Sequence, residues 1–208
     1  MILYHTVGRE GISEATIGKS RFICRVARVE AKAEAESFFA EFKAANREAN
    51  HHVPAFVIGD KMQLQWASDD GEPQGTAGAP ILSALTGAGV TNAAVMVVRY
   101  FGGIKLGTGG LVRAYSSAAK AALEDAGIVT VRSGEALFFK ITYPAFDRVK
   151  AVLERQGIPI RNVSYTDDVG FEIHIPSEDA ASVTAIIADL TGGATKPVTS
   201  VPRNIYTD

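Results

Sequence analysis

Apolar and polar positions follow a regular pattern in the last third of the chain. Val169–Ile175 alternates apolar side chains with polar or small ones, which is typical of a half-buried strand. Ala145–Gln156 carries apolar side chains at helical spacing, and Gly157 follows as a helix-ending residue. The other elements predicted here are strands at Glu135–Tyr143, Ile158–Tyr165 and Thr195–Val201 and a helix capped by Ser177 that ends near Leu190. The resulting β-α-β-β-α-β order is that of the ferredoxin-like unit.

Earlier in the chain, the pattern predicts a second unit that mixes strands and helices. Ala93–Tyr100 is almost continuously apolar, as expected of a strand that is buried on both faces. Ala31–Ala49 places Phe38 and Phe42 on one helical stripe. The other predicted elements are strands at Ile2–Val7, Ile12–Ile17, Arg21–Val29, Ala55–Ile58 and Met62–Ala67, and helices from Pro80 to Gly87 and over Leu111–Ala126. We place the boundary near Val131–Gly134, which predicts an α+β chain with domains at residues 1–132 and 133–208.

Composition indicates a globular chain with little net charge. The 208 residues suit one large domain or two small ones, and 47% of them are hydrophobic. The formal charge is −2, and neither predicted domain is basic. This balance argues against an electrostatic grip on nucleic acid by the whole protein, although it leaves room for a local basic patch.

The cysteine content and the N-terminal sequence indicate in which compartment the protein is expected. Cys24 is the single cysteine, so the chain can form neither an internal disulfide nor a cysteine zinc site, and a reducing compartment is expected. The apolar neighbours of Cys24 predict a buried, inert thiol. The N-terminal residues lack the pattern of a signal peptide, and the apolar run Ala93–Val98 is far shorter than the roughly 20 residues that span a bilayer. We therefore expect a cytoplasmic protein with no membrane partner.

Two segments are rich in glycine and carry charged side chains. The acidic segment is Ser68–Pro80 and the glycine-rich segment is Arg99–Gly110, and each lies between a predicted strand and a predicted helix. Amide groups at helix N-termini bind ligands at such places. Thr76 and Thr108 can cap the helices or contact a ligand. The glycine-rich segment, with Arg99 and Lys105, therefore predicts an anion site, and the alternative is that its tight turns need glycine and bind nothing.

Acidic, histidine and aromatic side chains add further candidates. Asp69, Asp70 and Glu72 can hold Mg²⁺ or Ca²⁺, and the alternative is a solvated turn whose carboxylates accept hydrogen bonds from nearby amides. The pair His51–His52 is predicted to end a helix and is not expected to bind metal, since adjacent residues do not share a helical face. Trp66 is expected to be packed. Tyr100 and Phe101 stand at the mouth of the glycine-rich segment, where they can stack on bases.

Several motifs resemble those of the IMPACT/YigZ family. They are Lys19-Ser20-Arg21-Phe22-Ile23, His51-His52 with Ala55-Phe56, Asp69-Asp70-Gly71-Glu72-Pro73 through Gly75-Thr76-Ala77-Gly78, and Val97-Val98-Arg99-Tyr100-Phe101-Gly102-Gly103 through Gly109-Gly110-Leu111-Val112-Arg113-Ala114-Tyr115. At the His pair the family pattern usually has Cys and Tyr nearby, whereas Val53 and Pro54 stand here. The resemblance implies a first domain like domain 2 of ribosomal protein S5 and a ferredoxin-like second domain similar to the last domain of elongation factor G. It also implies a role in translational control, with a ribosome, RNA or translation factor as partner.

These observations lead to one main functional hypothesis and two alternatives. The main hypothesis is a translation-linked regulatory binding protein without a cofactor or metal. The candidate residues for contact with a ligand or RNA are Arg99, Tyr100, Gly102, Gly103, Lys105, Gly107, Thr108, Gly109, Gly110 and Arg113, together with Asp69, Asp70, Glu72, Gly75 and Thr76. One alternative is a Mg²⁺-dependent enzyme acting on a phosphorylated or nucleotide ligand, and the other is a protein–protein adaptor. A ligand site gains support if the two segments meet at one cleft.

Overall fold

The computed structural model describes residues 1–193 and 195–207, which form five helices and ten strands. The strands are β1 (Ile2–Val7), β2 (Gly11–Ile17), β3 (Ser20–Arg28), β4 (His51–Ile58), β5 (Leu64–Ala67), β6 (Ala93–Tyr100), β7 (Ile128–Ile141), β8 (Ile160–Tyr165), β9 (Val169–Pro176) and β10 (Thr199–Thr207). The helices are α1 (Lys32–Ala45), α2 (Gly78–Gly87), α3 (Gly107–Ala126), α4 (Tyr143–Arg155) and α5 (Ala180–Leu190). The described chain divides into two compact units, one over Tyr4–Thr130 and one over Met1–Leu3 with Val131–Thr207.

The unit over Tyr4–Thr130 is built on a sheet in the order β2-β3-β6-β4-β5, in which every neighbouring pair is antiparallel. Buried side chains of α2 and α3 share one hydrophobic core with the sheet. Phe38 and Phe42 of α1 belong to a separate core with Val98 and Met96 of β6. Because successive side chains of a strand point to opposite faces, β6 contributes to both cores, which explains why Ala93–Tyr100 is apolar almost throughout.

The other unit follows the predicted β-α-β-β-α-β order with β7, α4, β8, β9, α5 and β10. Its sheet has the order β10-β7-β9-β8, and β1 also lies beside β7. The pairs β7–β9 and β8–β9 are antiparallel. Phe139 and Phe171 stack at 5.4 Å between ring centroids inside the core that α4 and α5 cover. This arrangement is ferredoxin-like.

The structure corrects the predicted end of the first helix. Helix α1 ends at Ala45, where Asn46 leaves helical geometry and its side-chain Nδ2 donates to the Phe42 carbonyl at 2.9 Å. His51 and His52 therefore do not end a helix as expected but begin β4. An asparagine that satisfies a terminal carbonyl stops the helix before the apolar stripe runs out.

Other boundaries also differ from the sequence pattern. Ser177 does not cap α5, since the residue preceding the helix is Asp179 and no side chain supplies a capping bond. Strand β7 begins at Ile128, before the predicted start at Glu135, while the two compact units divide at Thr130–Val131, next to the expected boundary near Val131–Gly134. Trp66 is 45% exposed although it stacks on Phe56 at 5.7 Å. Within residues 1–193 and 195–207, no helix combines the length and apolar character that crossing a membrane requires.

Candidate functional site

The register of the central sheet brings three side chains of the site together. Arg99 near the end of β6 pairs with Phe22 of β3 on one side and with His51 of β4 on the other. Cross-strand partners point to the same face of a sheet, here the face that α2 and α3 cover. His52 and Tyr100 point to the opposite face, where His52 Nε2 and Tyr100 Oη contact the Asn46 carbonyl and side chain.

Arg99 lies at the centre of a buried polar network. Its Nη1 donates to Glu72 Oε1 at 2.7 Å, and its Nη2 donates to Ser20 Oγ at 3.1 Å. Tyr115 Oη donates to the same Glu72 Oε1 at 2.7 Å. Burial and this hydrogen bond raise the pKa of Tyr115, so its hydroxyl stays protonated and remains a donor. The sequence pointed to Arg99 as a cation for a ligand, whereas the structure pairs it with Glu72.

The Arg99 guanidinium is also held between two aromatic rings. It lies 5.5 Å from the ring centroid of Phe22 and 5.4 Å from that of Phe101, both within cation–π range. Phe22 is fully buried, whereas Phe101 is 46% exposed. The Nε atom of Arg99 is enclosed and has no hydrogen-bond partner among the described residues. A buried donor without a partner is costly, and the guanidinium carries this cost in addition to that of its burial.

The acidic segment is organised by Asp69, which accepts hydrogen bonds from three backbone amides. These are the amides of Gly75 at 2.8 Å, Ala77 at 3.1 Å and Gly78 at 2.9 Å. Partial burial acts to raise the pKa of Asp69, but the three amide donors outweigh it and the pKa is lowered. Asp69 thus accepts its hydrogen bonds from amides of its own segment. This is the arrangement that the alternative to a metal site, a turn whose carboxylates accept from nearby amides, predicted.

The remaining candidates of the acidic segment are also engaged locally. Asp70 Oδ2 accepts from the His52 backbone amide at 2.6 Å. Thr76 does not cap α2, because its hydroxyl donates to the Pro73 carbonyl at 2.6 Å and the helix follows Ala77 without a side-chain cap. Gly75 has a φ of +74°, a conformation that favours glycine.

The glycine-rich segment passes directly into α3. The helix begins at Gly107, four residues earlier than the apolar pattern predicted, and no side-chain hydrogen bond caps it at Leu106. Thr108 therefore lies inside the first turn and is not the cap. The first amides of a helix have no partner within it, so the amides of this turn are available. Side chains would meet no neighbouring atom at Gly103 or Gly107, which leaves open space beside the loop.

Parts of both segments line one cavity of about 440 Å³. Its lining residues are His51, Glu72, Pro73, Arg99, Phe101, Lys105, Leu106, Gly107, Thr108 and Leu111. The acidic and glycine-rich segments therefore meet, as the ligand hypothesis requires. Of the candidates from sequence, Glu72, Arg99, Lys105, Gly107 and Thr108 line this cavity, and so does Phe101, which was expected at the mouth of the glycine-rich segment.

The other sequence candidates lie outside the lining. They are Asp69, Asp70, Gly75, Thr76, Tyr100, Gly102, Gly103, Gly109, Gly110 and Arg113. Sequence reasoning missed His51, Pro73, Leu106 and Leu111 as lining residues. For His51, two signals were available: its place in one of the motifs that resemble the family, and its position before an apolar strand, which the predicted helix end obscured.

Comparisons with known proteins match both parts of the chain. Residues 18–123 match the family model described as the Impact N-terminal domain, and residues 139–194 match a domain of unknown function, DUF1949. The chain is 35% identical over 190 residues to IMPACT family member YvyE of Bacillus subtilis (strain 168), covering 91% of this chain and 88% of that protein. It is 37% identical over 183 residues to IMPACT family member YigZ of Escherichia coli (strain K12), covering 86% of this chain and 88% of that protein.

A solved structure supports the same assignment at the level of the fold. It is described as the crystal structure of an hypothetical protein, and it is 33% identical to this chain with a TM-score of 0.62. The alignment covers 94% of this chain and 96% of that one. The resemblance seen in the motifs and the expected two-domain α+β fold are both confirmed. The chain belongs to the IMPACT family.

Proposed function

We propose that this protein is a regulatory binding protein linked to translation, and that it contacts RNA, free or within the ribosome, through the glycine-rich face of its first domain. Membership of the IMPACT family supports a regulatory or translation-associated role at the level of the family. The ligand and the contact surface are inferred from the chemistry of the cavity and its surroundings.

The observation that carries the proposal is a group of three unpaired cations on or next to the glycine-rich segment. Lys105 lines it, Arg113 lies on the second turn of α3, and the backbone of Lys19 packs against Gly102. All three side chains are exposed, and none of them forms an ion pair with a described residue. The nearby carboxylates of Asp69 and Glu72 are engaged by backbone amides and by Arg99. The exposed charges on and next to the glycine-rich segment are therefore positive although the domain is neutral, which suits a phosphate backbone.

Two further features suit RNA as the ligand. The uncapped first turn of α3, with Gly107 and Thr108, offers amide donors and a positive dipole end to a phosphate. Phe101 presents an exposed ring beside it, and such rings stack on unpaired bases with little dependence on sequence.

The enzymatic alternative loses its proposed ligands to internal contacts. Asp69 accepts three amides, Asp70 accepts the His52 amide, and Glu72 is paired with Arg99. Across the described part of the chain, no three His, Cys, Asp or Glu side chains gather into an arrangement that fits a metal ion. No observation favours Mg²⁺-dependent catalysis, which stays a prediction from sequence.

The proposal is tested by fluorescence anisotropy with a labelled single-stranded RNA of about 12 nucleotides, a length that spans a typical single-strand site. Binding should weaken steeply as salt rises from about 50 to 200 mM. The variant Lys105→Ala with Arg113→Ala should bind more weakly and with a shallower salt dependence.

Lys120→Ala is the matched control, because Lys120 is an exposed, unpaired lysine of α3 about 20 Å along the helix from its start. It should bind RNA as the unmodified protein does. If RNA binds neither alone nor in purified ribosomes, the proposal is wrong. Binding that tolerates high salt and the double substitution would instead indicate a protein partner such as a translation factor.

A further inference from the structure

One wall of the cavity presents a nitrogen acceptor. The Nδ1 atom of His51 lies 2.9 Å from the backbone carbonyl oxygen of Asp70. A carbonyl oxygen only accepts, so Nδ1 must carry the proton of this hydrogen bond. In the neutral ring, Nε2 is then an acceptor. It lies 3.8 Å from Glu72 Oε1, which is beyond hydrogen-bond distance.

Glu72 presents a second acceptor to the same cavity. Its Oε1 receives the hydrogen bonds from Arg99 and Tyr115, whereas Oε2 accepts none from the described residues. The Glu72 side chain is only 4% exposed. Among the described residues, the side-chain atoms that are both fully enclosed and without a hydrogen-bond partner are Arg99 Nε and Arg132 Nε. Glu72 Oε2 also has no partner but is not one of these enclosed atoms, so it must reach solvent. Glu72 is also one of the residues that line the cavity.

The opposite part of the lining has the reverse preference. Lys105 supplies a cation, and Gly107 and Thr108 supply amides at the uncapped start of α3. Phe101 adds an exposed aromatic ring. A matching ligand thus needs hydrogen-bond donors for His51 and Glu72, negative charge for the amides and Lys105, and a planar group for the ring. The cavity volume falls within the roughly 300–1,000 Å³ typical of small-ligand sites.

We propose that this cavity holds a single ribonucleotide unit of the RNA and recognises its sugar, an inference that rests on the function proposed above. The ribose 2′-hydroxyl donates a hydrogen bond to Glu72 Oε2 or to His51 Nε2, and the phosphate lies at Lys105 and the first turn of α3. Deoxyribose has no such donor and leaves the acceptors unpaired, which costs binding free energy. The protein therefore distinguishes RNA from DNA at this position.

The test compares three single strands of identical sequence by anisotropy: RNA, DNA, and RNA with 2′-O-methyl groups. The methylated strand keeps the 2′-oxygen but lacks the proton that it would donate. RNA should bind about 10- to 100-fold more tightly than either other strand, the range expected for one hydrogen bond to a charged acceptor.

Two variants locate the preference. In Glu72→Gln, the amide oxygen can keep the bonds from Arg99 and Tyr115 while an NH₂ group replaces Oε2. His51→Ala removes the other acceptor, which is half-buried, and this variant is the one to measure if Glu72→Gln does not fold. Whichever of the two variants removes the atom that accepts the hydrogen bond from the 2′-hydroxyl should bind RNA and DNA with nearly equal affinity. Lys105→Ala should weaken the binding of RNA and of DNA by the same factor, so that the ratio of the two affinities does not change.

The outcomes separate the two proposals. Equal binding of RNA and DNA by the unmodified protein overturns the sugar recognition and leaves the RNA-binding function standing. A preference for RNA that survives both Glu72→Gln and His51→Ala places recognition elsewhere and also overturns it. Absence of binding to any strand, with or without the ribosome, overturns the proposed function and this inference together.

Discussion

Arg99 Nη1 and Glu72 Oε1 are 2.7 Å apart, and the two side chains are only 5% and 4% exposed. The pair joins the end of β6 to the acidic segment, so it sets the position of one wall of the cavity. Removing both charges from water is expensive, and the attraction between them offsets that cost only when the geometry is close and other polar atoms are satisfied. Ser20 and Tyr115 supply additional hydrogen bonds here.

Breaking this pair from one side should strongly destabilise the protein. Arg99→Met leaves the Glu72 carboxylate buried with Tyr115 alone, and we expect a loss of about 3–5 kcal/mol in the free energy of unfolding. Glu72→Met should have a similar effect. The double variant should lose less than the sum of the two single losses, because no unpaired charge remains. Urea unfolding at neutral pH measures all three.

A surface ion pair of the same sheet gives the control for this cycle. Arg21 contacts Glu14 at 2.7 Å, but both side chains are about half exposed. Arg21→Met should change the free energy of unfolding little, since exposed pairs contribute weakly. Strict additivity of the Arg99 and Glu72 losses would contradict a coupled buried pair.

Asp69 should make stability depend on pH in the acidic range. Its pKa is lowered in the folded protein below the ordinary value of 3.8, since three amides favour the carboxylate over the opposing effect of burial. A lowered folded pKa stabilises the protein above the unfolded pKa, and this contribution is lost as pH falls through the folded pKa. Asp69→Asn should therefore be less stable than the unmodified protein at neutral pH, by on the order of 2 kcal/mol.

The pH profile distinguishes this effect from a simple packing defect. Below about pH 4 the difference between Asp69→Asn and the unmodified protein should shrink, because the unmodified carboxyl becomes protonated as well. Urea unfolding in a series of buffers from acidic to neutral pH measures it. A difference that stays constant across the series would show that the charge of Asp69 does not stabilise its segment.

Local patterns predicted the buried elements well. The strand at Ala93–Tyr100 has the same limits in sequence and structure, because a strand that contributes to two cores leaves an uninterrupted apolar run. The ferredoxin-like order was equally readable, since α4 carries its buried Phe146, Val149 and Leu153 at helical spacing. Such periodicity depends only on neighbours along the chain.

The site could be predicted only in part, because its geometry depends on distant pairings. Glu72 and Arg99 were both candidates, but their contact spans 27 positions and no local pattern indicates it. His51 reaches the cavity through its register with Arg99 in the sheet. The start of β7 was also missed. Within β7, Gly134 lies against Ile205 and the Ile175 carbonyl, where a side chain would not fit.

Substitution by alanine should have different effects on stability at two glycines of the glycine-rich segment. A Cβ on Gly102 would lie far inside contact distance of the Lys19 backbone, which cannot move without shifting the turn between β2 and β3. We expect Gly102→Ala to cost about 3 kcal/mol or more. A Cβ on Gly109 would meet only the flexible end of Arg113, at 3.6 Å.

Gly109 lies within α3, so Gly109→Ala should be neutral or should stabilise the protein by up to about 1 kcal/mol. Thermal and urea unfolding of the two variants provide the comparison. If Gly102→Ala were as stable as the unmodified protein, the close approach of Lys19 to the glycine-rich segment would be wrong.

The Cys24 thiol should be unreactive in the folded protein and should report unfolding. Cys24 is fully buried in β3, and burial raises the pKa of its thiol, so little of the reactive thiolate forms. Labelling by a thiol reagent should be slower in buffer than in concentrated urea by on the order of a thousandfold or more, because reaction requires the sheet to open. Cys24→Ala with Ser117→Cys, whose thiol would stand at an exposed position of α3, should be labelled rapidly in both conditions. Fast labelling of native Cys24 would mean that β3 opens locally, and the strand that pairs with β6 and supplies Ser20 to Arg99 would then be too mobile to hold Arg99 in place.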